Sequence, residues 1–205
     1  LTTIEGGVVV TDDDALADAC RGLRAHGWVR ERSDRARLEA AHAEVDPRFL
    51  FVSPGYNLRP TEISGAFGLH QIPRLDGFVA RRRANHAAWC ALIGALDLPL
   101  RVFPEAPGTS HAGFAFPLLL DAASPVDRAT LCARLEAAGV ATRPISGSNL
   151  ARQPAFASVP GARIEGPLHV ADSLHDRGLF VGNSHAFGDE QGAVLVNALQ
   201  RAFAG

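Results

Sequence analysis

Hydrophobic and polar residues in the first third of the chain predict one strand, one helix and a long loop. The β-branched run at residues 8–11 follows a Glu-Gly-Gly turn and predicts a short buried strand. Three aspartates at residues 12–14 then supply an N-cap and first-turn negative charge for a helix to about Arg24, which Gly27 ends. Residues 28–54 are polar and arginine-rich, which predicts a functional loop that contains a short helix.

Prolines mark the next elements. Pro60 predicts the first turn of a second helix, and Pro73 interrupts it before a long helix over residues 74–96. Residues 98–108 hold three prolines and a glycine, which is typical of a boundary between domains. The predicted domains are therefore residues 1–97 and 98–205.

Strands and helices alternate in the remaining part of the chain, which indicates a small α/β or α+β domain. Strands are predicted at 114–120, 140–143 and 179–181, and helices at 126–138, 170–177 and 189–203, the first of these capped by Ser124-Pro125.

Composition narrows the class of protein and its partners. The chain has 205 residues, 47% of them hydrophobic, and a net charge of −2, so charge gives no reason to expect a nucleic acid or an anionic membrane as partner. No apolar run is long enough to cross a membrane. Cys20, Cys90 and Cys132 are widely spaced, which predicts reduced thiols in a cytoplasmic protein and no metal site.

Two residue types are missing from the chain. It contains no lysine, so it cannot form the internal Schiff base by which most pyridoxal phosphate (PLP) enzymes hold their cofactor. It also contains no methionine, so Leu1 is expected to be a processing product or the edge of a longer protein.

The most specific motif is the stretch at residues 55–72, which reads GYNLRPTEISGAFGLHQI. Its loop offers the Asn57 amide, the Arg59 guanidinium and backbone N–H groups ahead of a helix, a donor set that suits phosphate. On their own, Asn57 could equally cap a turn and Arg59 could be a surface charge.

Other motifs accompany it. Residues 1–7 read LTTIEGG, residues 24–31 read RAHGWVRE, residues 140–156 read VATRPISGSNLARQPAF and residues 171–185 read ADSLHDRGLFVGNSH. In these segments Arg143 could contact a substrate carboxylate or diphosphate, or pair with a carboxylate of the other domain. His185 follows a predicted strand and could contact substrate or cap the last helix.

Together these motifs resemble the DegT/DnrJ/EryC1/StrS sugar aminotransferase family over nearly the whole chain. The resemblance implies an α/β fold: the end of the large mixed-sheet domain of a fold-type I PLP enzyme, followed by a smaller α/β domain. It implies PLP or pyridoxamine phosphate (PMP) as cofactor, a nucleotide-sugar substrate, glutamate as amino donor and a homodimer with shared sites. It also implies that Asn57 reaches the cofactor phosphate of the neighbouring subunit, and that the catalytic histidine or lysine lies just upstream of Leu1.

The branch of the family follows from the loop at residues 28–54. It contains no cysteine, so it cannot bind the iron–sulfur cluster of one dehydratase branch. The motifs are most similar to the cluster-free GDP-4-keto-6-deoxymannose 3-dehydratases, which implies PMP-dependent removal of the C3 hydroxyl with histidine in place of lysine. An aminotransferase with an upstream lysine, and a truncated chain that only dimerises, remain alternatives.

Overall fold

The structure is a computed structural model that describes residues 1–204. It contains two compact units, Leu1–Leu75 and a second that runs from Asp76 to the end of the described chain. The compact units divide at the start of the long helix, whereas the domains predicted from the proline-rich stretch, 1–97 and 98–205, divide after it. The predicted domain division stays a prediction.

The first unit is built from short helices joined by extended segments. The α-helices are α1 (Asp14–Leu23), α2 (Arg35–Ala41) and α3 (Glu62–Gln71), and single 3₁₀ turns occur at Pro47–Phe49 and Ile72–Arg74. The predicted helix in the long loop is therefore confirmed as α2.

Side-chain caps set where α1 and α3 begin. The Asp13 carboxylate accepts hydrogen bonds from the N–H groups of Ala15 and Leu16, as the aspartate run predicts. Thr61 caps α3 by accepting from the Ser64 N–H, so this helix begins after Pro60 rather than at it.

The predicted buried strand at residues 8–11 is wrong. The segment is extended but belongs to no strand, and Val8, Val9 and Val10 are 88%, 69% and 89% exposed. A β-branched run becomes a strand only when a neighbouring segment pairs with its backbone, and no described residue does so here.

The second unit packs helices on one small sheet. Its α-helices are α4 (Leu75–Gly94, whose first residue closes the first unit), α5 (Arg128–Ala137), α6 (His169–Arg177) and α7 (Asp189–Ala204). Its strands are β1 (Leu100–Arg101), β2 (Ala115–Leu120), β3 (Thr142–Pro144) and β4 (Gly178–Gly182), and 3₁₀ turns occur at Leu150–Arg152 and Pro154–Ser158. The two-residue strand β1 is not among the predicted elements.

All strand pairs in this sheet are antiparallel, in the order β1-β2-β4-β3. Phe116 of β2 lies opposite Val181 of β4, and Thr142 of β3 lies on the other side of Val181. The central strands are therefore β2 and β4, which carry most of the sheet's buried residues.

The core of the second unit lies between this sheet and helices α4, α5 and α7. Trp89, Cys90 and Ile93 come from α4, Val126 precedes α5, and the other members are aliphatic or aromatic residues of β2, β4, α5 and α7. A fully buried leucine or phenylalanine of this kind contributes about 1.5–3 kcal/mol. The cap of α5 differs from the prediction: Asp127 accepts from the Thr130 N–H, while the Ser124 hydroxyl bonds only to Val126.

The described chain is a mixed α/β fold, as the sequence predicts. Among residues 1–204, no helix combines the length and the apolar character that crossing a bilayer requires. The cytoplasmic location stays a prediction.

Candidate active site

The segment that carries Asn57 is held by backbone pairing with the end of α1. The Tyr56 N–H donates to the Leu23 carbonyl over 2.6 Å, and the His26 N–H donates to the Tyr56 carbonyl over 2.7 Å. The Leu58 N–H donates to the carbonyl of Arg24 over 2.8 Å. Because these bonds lie on both sides of Asn57, the backbone at this residue is fixed within the first unit.

Two glycines make this pairing possible. Gly27 has φ of +83°, and a Cβ on it would overlap the Ser53 carbonyl. A Cβ on Gly55 would overlap the backbone nitrogen of Gly27. The close approach explains both residues, and it corrects the prediction that Gly27 ends α1, which ends at Leu23 with Arg24 as its C-cap.

Asn57 and Arg59 form a pair of exposed donors. Arg59 Nε lies 3.4 Å from Asn57 Oδ1, which orients the amide. The Asn57 amide nitrogen and the terminal nitrogens of Arg59 stay available, and Arg59 forms no ion pair among the described residues. This is the donor chemistry that a phosphate group needs.

The N-terminus of α3 adds little to that donor set. Thr61 already accepts from the Ser64 N–H, and Glu62 places a carboxylate in the first turn. An anion at this position would therefore be held by side chains rather than by the helix dipole.

The long loop after Gly27 is anchored to α1 by Asp18, whose side chain is buried. Its carboxylate accepts from the Ser33 hydroxyl over 2.6 Å, from the Ser33 N–H over 2.9 Å and from Arg21 over 2.8 Å. These hydrogen bonds, led by those from Ser33, hold the pKa of Asp18 well below its usual range.

The far part of the same loop is fixed by Trp28. Its indole N–H donates to the Arg48 carbonyl over 3.1 Å, and its ring stacks on Phe51 with centroids 6.1 Å apart. No cluster of three potential metal ligands occurs among the described residues of the chain.

In the second unit, Arg143 lies on β3 opposite Phe180 of β4. Its side chain is exposed and lines an open cavity of about 360 Å³. It forms no ion pair with any residue between 1 and 204, so its guanidinium is available to an anion.

His185 lies in the turn between β4 and α7. Its ring packs on Phe78 of α4 with centroids 3.8 Å apart and planes inclined by 31°. Gln191 accepts from the Gly188 N–H at the start of α7, so the helix start is capped without His185. The exposed imidazole is held in place by Phe78 rather than by a hydrogen bond.

Each unit carries two of the predicted site residues. Asn57 and Arg59 contact each other, whereas His185 does not line the cavity of Arg143. Sequence reasoning missed the residues that position them: Gly27 and Gly55 in the first unit, and a buried asparagine, Asn183, in the second. The two glycines can be seen in the sequence, but the sequence does not show that they contact each other.

Comparisons with known proteins identify the family of the chain. The chain is 35% identical over 204 residues to the GDP-4-keto-6-deoxy-D-mannose 3-dehydratase of Yersinia pseudotuberculosis, covering 98% of this chain and 51% of that protein. Among solved structures, the E. coli GDP-4-keto-6-deoxy-D-mannose 3-dehydratase with bound hydrated PLP superposes with a TM-score of 0.85 at 30% identity, covering 97% of this chain and 51% of that one.

A sugar aminotransferase, CalS13 from Micromonospora echinospora, superposes with a TM-score of 0.77 at 26% identity, covering 98% of this chain and 48% of that one. The chain thus spans about half the length of the relatives it matches. The model of the DegT/DnrJ/EryC1/StrS aminotransferase family matches residues 1–200, and the chain belongs to that family.

Proposed function

We propose that this protein acts in deoxysugar biosynthesis as a PLP- or PMP-dependent 3-dehydratase of a nucleotide-linked 4-keto-6-deoxyhexose, with glutamate as amino donor. The observation that carries the proposal is the 35% identity to a GDP-4-keto-6-deoxy-D-mannose 3-dehydratase along 98% of this chain. The cysteine-free loop at residues 28–54 fits the cluster-free branch.

The residues of the first unit fit the phosphate of the cofactor. Asn57 and Arg59 present amide and guanidinium donors on a backbone fixed by its pairing with Leu23 and Arg24. When bound, the cofactor supplies an electron sink for cleavage at C3 of the sugar. This chain contributes no lysine to it.

The proposed reaction needs a base that would accept a proton as the C3 hydroxyl is removed. Histidine suits this role near neutral pH, and the family resemblance places it just upstream of Leu1. Arg143 and His185 are proposed to contact the substrate, Arg143 through its unpaired charge and His185 through an imidazole held on Phe78.

We also propose a homodimer in which Asn57 serves the cofactor site of the neighbouring copy. The supporting observation is an exposed apolar surface around α3 in the first unit. Its members are at least 49% exposed and comprise Tyr56, Leu58, Ile63, Phe67, Leu69 and Ile72. A second copy covering this surface would bury it and bring in Asn57, which precedes α3.

The aminotransferase reaction is the second candidate, and the similarity to CalS13 favours it. The two candidates differ in a residue just upstream of Leu1: lysine would hold the cofactor covalently, and histidine would leave it as free PMP. The identity to CalS13 is lower than that to the dehydratases, so dehydration is the first candidate.

A product assay separates the candidates. The natural protein that carries this chain is incubated with GDP-4-keto-6-deoxymannose, PMP and glutamate, and the sugar product is identified by mass spectrometry and NMR. Loss of the C3 hydroxyl supports the dehydratase, whereas a 4-amino sugar that retains it identifies the aminotransferase. Turnover of neither kind, with the dTDP-, CDP- and UDP-linked sugars also tested, refutes both.

Mapping the cofactor gives an independent test. The protein is loaded with PLP, reduced with borohydride and digested, and pyridoxyl peptides are sought by mass spectrometry. A dehydratase is expected to give no adduct upstream of Leu1, and a parallel sample incubated with PLP and glutamate, without borohydride, is expected to release PMP on denaturation. An adduct on a lysine there contradicts the dehydratase assignment.

A further inference from the structure

The cavity beside Arg143 is lined by positively charged and neutral side chains, although the chain as a whole has a net charge of −2. It lies among the end of β3, the turn after it, the start of α5 and the end of α6. Its polar lining consists of two arginines, two serines, a glutamine and a histidine: Arg128, Arg143, Ser146, Ser148, Gln153 and His175. No aspartate or glutamate lines it.

The two arginines differ in how they are held. Arg128 is half-buried and donates to the backbone carbonyls of His175 over 2.5 Å and of Gly178 over 3.4 Å, which fixes it at the end of α6. Arg143 has no such partner and stays free to move toward a ligand. Because arginine remains charged at any physiological pH, both contribute positive potential.

The turn that forms the rim of the cavity is stiff. Gly147 and Ser148 have φ of +69° and +45°, and the Ser148 hydroxyl donates to the Ile145 carbonyl over 2.6 Å. Asn149, only 3% exposed, donates to Asp172 of α6 over 2.8 Å. The rim is therefore set before any ligand binds, which lowers the cost of binding.

The nearby carboxylates of α6 are already neutralised. Arg152 contacts Asp176 over 2.8 Å and Asp172 over 3.5 Å, and Asp172 also accepts from Asn149. Because these carboxylates are already paired, they do not neutralise the positive charges of the two arginines in the cavity.

We propose that this cavity is an oxyanion site with Arg143 as its principal charged contact. Its volume of about 360 Å³ falls in the range of small-molecule sites, roughly 300–1,000 Å³. Two ligands of the proposed reaction carry suitable oxygens, the diphosphate of the nucleotide sugar and the carboxylates of glutamate. The choice between these sources rests on the proposed function, whereas anion binding itself does not.

Calorimetric titration of the purified protein tests the site without turnover. Inorganic diphosphate and L-glutamate are titrated separately at low ionic strength into the wild type, Arg143→Gln and Arg163→Gln. Arg163 is a matched control because it lies in the loop that follows the cavity turn, pairs with Glu165 and has a side chain 81% exposed. We expect affinity to fall about tenfold or more in Arg143→Gln and less than about twofold in Arg163→Gln.

Each result has a defined meaning. Loss of diphosphate binding in Arg143→Gln assigns the cavity to the nucleotide diphosphate, and loss of glutamate binding assigns it to the amino donor. Absence of binding of both ligands to the wild type, or equal loss in the two variants, overturns the proposal. Thermal unfolding of the variants shows whether a loss reflects misfolding, which is not expected for an exposed residue. An inactive enzyme with intact anion binding refutes the proposed function alone.

Discussion

Asn85 of α4 and Asn183 at the end of β4 form a buried amide pair in the second unit. Asn85 Nδ2 lies 3.2 Å from Asn183 Oδ1, and the two residues are 5% and 1% exposed. The Asn183 amide also donates to the carbonyls of Arg82 and Gly113, each over 3.0 Å. Asn85 in turn donates to the Ser184 carbonyl over 3.1 Å, so the pair fixes the turn that carries His185.

Asn183→Ala is expected to destabilise the protein by about 2–4 kcal/mol. The change removes the side-chain donor of the part-buried carbonyls of Arg82 and Gly113, and it leaves the buried Asn85 without its side-chain acceptor. Urea unfolding, followed by circular dichroism, measures the loss from the shift in midpoint at constant slope.

Asn197→Ala is the matched control for this measurement. Asn197 is exposed on α7, where alanine is the better helix former, so the change is expected to alter stability by less than about 0.5 kcal/mol. A loss for Asn183→Ala as small as that of the control would mean that the amide pair adds nothing to stability.

Gly27→Ala is expected to destabilise the first unit by about 3 kcal/mol or more. The added Cβ overlaps the Ser53 carbonyl and alanine is strained at φ of +83°, so the pairing of the Asn57 segment with α1 is disrupted. Hydrogen exchange of the amides of residues 50–58, read by mass spectrometry, is expected to accelerate.

The control for Gly27→Ala is Gly77→Ala in α4. Nothing lies within 4 Å of a Cβ at Gly77, and its backbone is helical, so alanine is expected to stabilise by about 0.5–1 kcal/mol. Unchanged exchange at residues 50–58 in Gly27→Ala would show that the segment tolerates the extra carbon and that Asn57 is not positioned in this way.

The sequence predicted the elements whose signals are local. The periodicity of the sequence, together with the residues that begin and end each element, predicted helices α5, α6 and α7 and strands β2, β3 and β4. Strand β1 was missed because two residues carry no periodic pattern. The run at residues 8–11 was misassigned because β propensity does not reveal whether a partner strand is present.

The candidate site shows the same limit. The donor-rich loop at residues 55–72 made Asn57 and Arg59 candidates, but their roles rest on the family resemblance and stay predictions. Their placement depends on the contact between Gly27 and Gly55, and the turn of His185 depends on residues 98 positions apart. Contacts at such separation leave no trace in the periodicity of a single sequence.

The Asp18 carboxylate is expected to stabilise the protein above about pH 4 and to lose that contribution on acidification. Hydrogen bonds from Ser33 and Arg21 lower its pKa in the folded state relative to the unfolded value of about 3.9. The unfolded chain therefore binds the proton first, and stability falls as pH drops through that window toward the folded pKa.

Asp18→Asn tests this contribution. The variant is expected to be less stable than the wild type at pH 7 and to show a shallower loss of melting temperature between about pH 4 and pH 2. Asp12→Asn, at an exposed position outside α1, serves as control and should keep the wild-type profile. Parallel profiles for Asp18→Asn and the wild type would contradict the role of the buried carboxylate.

His86 of α4 is expected to make stability fall as pH drops below about 6.5. The residue is 4% exposed; burial first and the nearby His111 second lower its pKa, while Glu105 acts in the opposite direction. His111 packs edge-on against its ring at a centroid distance of 4.7 Å. The unfolded chain, with an ordinary histidine pKa of about 6.5, therefore binds a proton at a higher pH than the folded chain does. Lowering the pH then favours the unfolded state.

His86→Phe keeps an aromatic ring against Phe116 and removes the titration. The melting temperature of this variant is expected to change less between pH 7 and pH 5 than that of the wild type. His169→Phe, at the exposed start of α6, makes the same substitution at an exposed histidine and should retain the wild-type slope. If the melting temperatures of His86→Phe and the wild type fall by the same amount over this interval, His86 is not the group responsible.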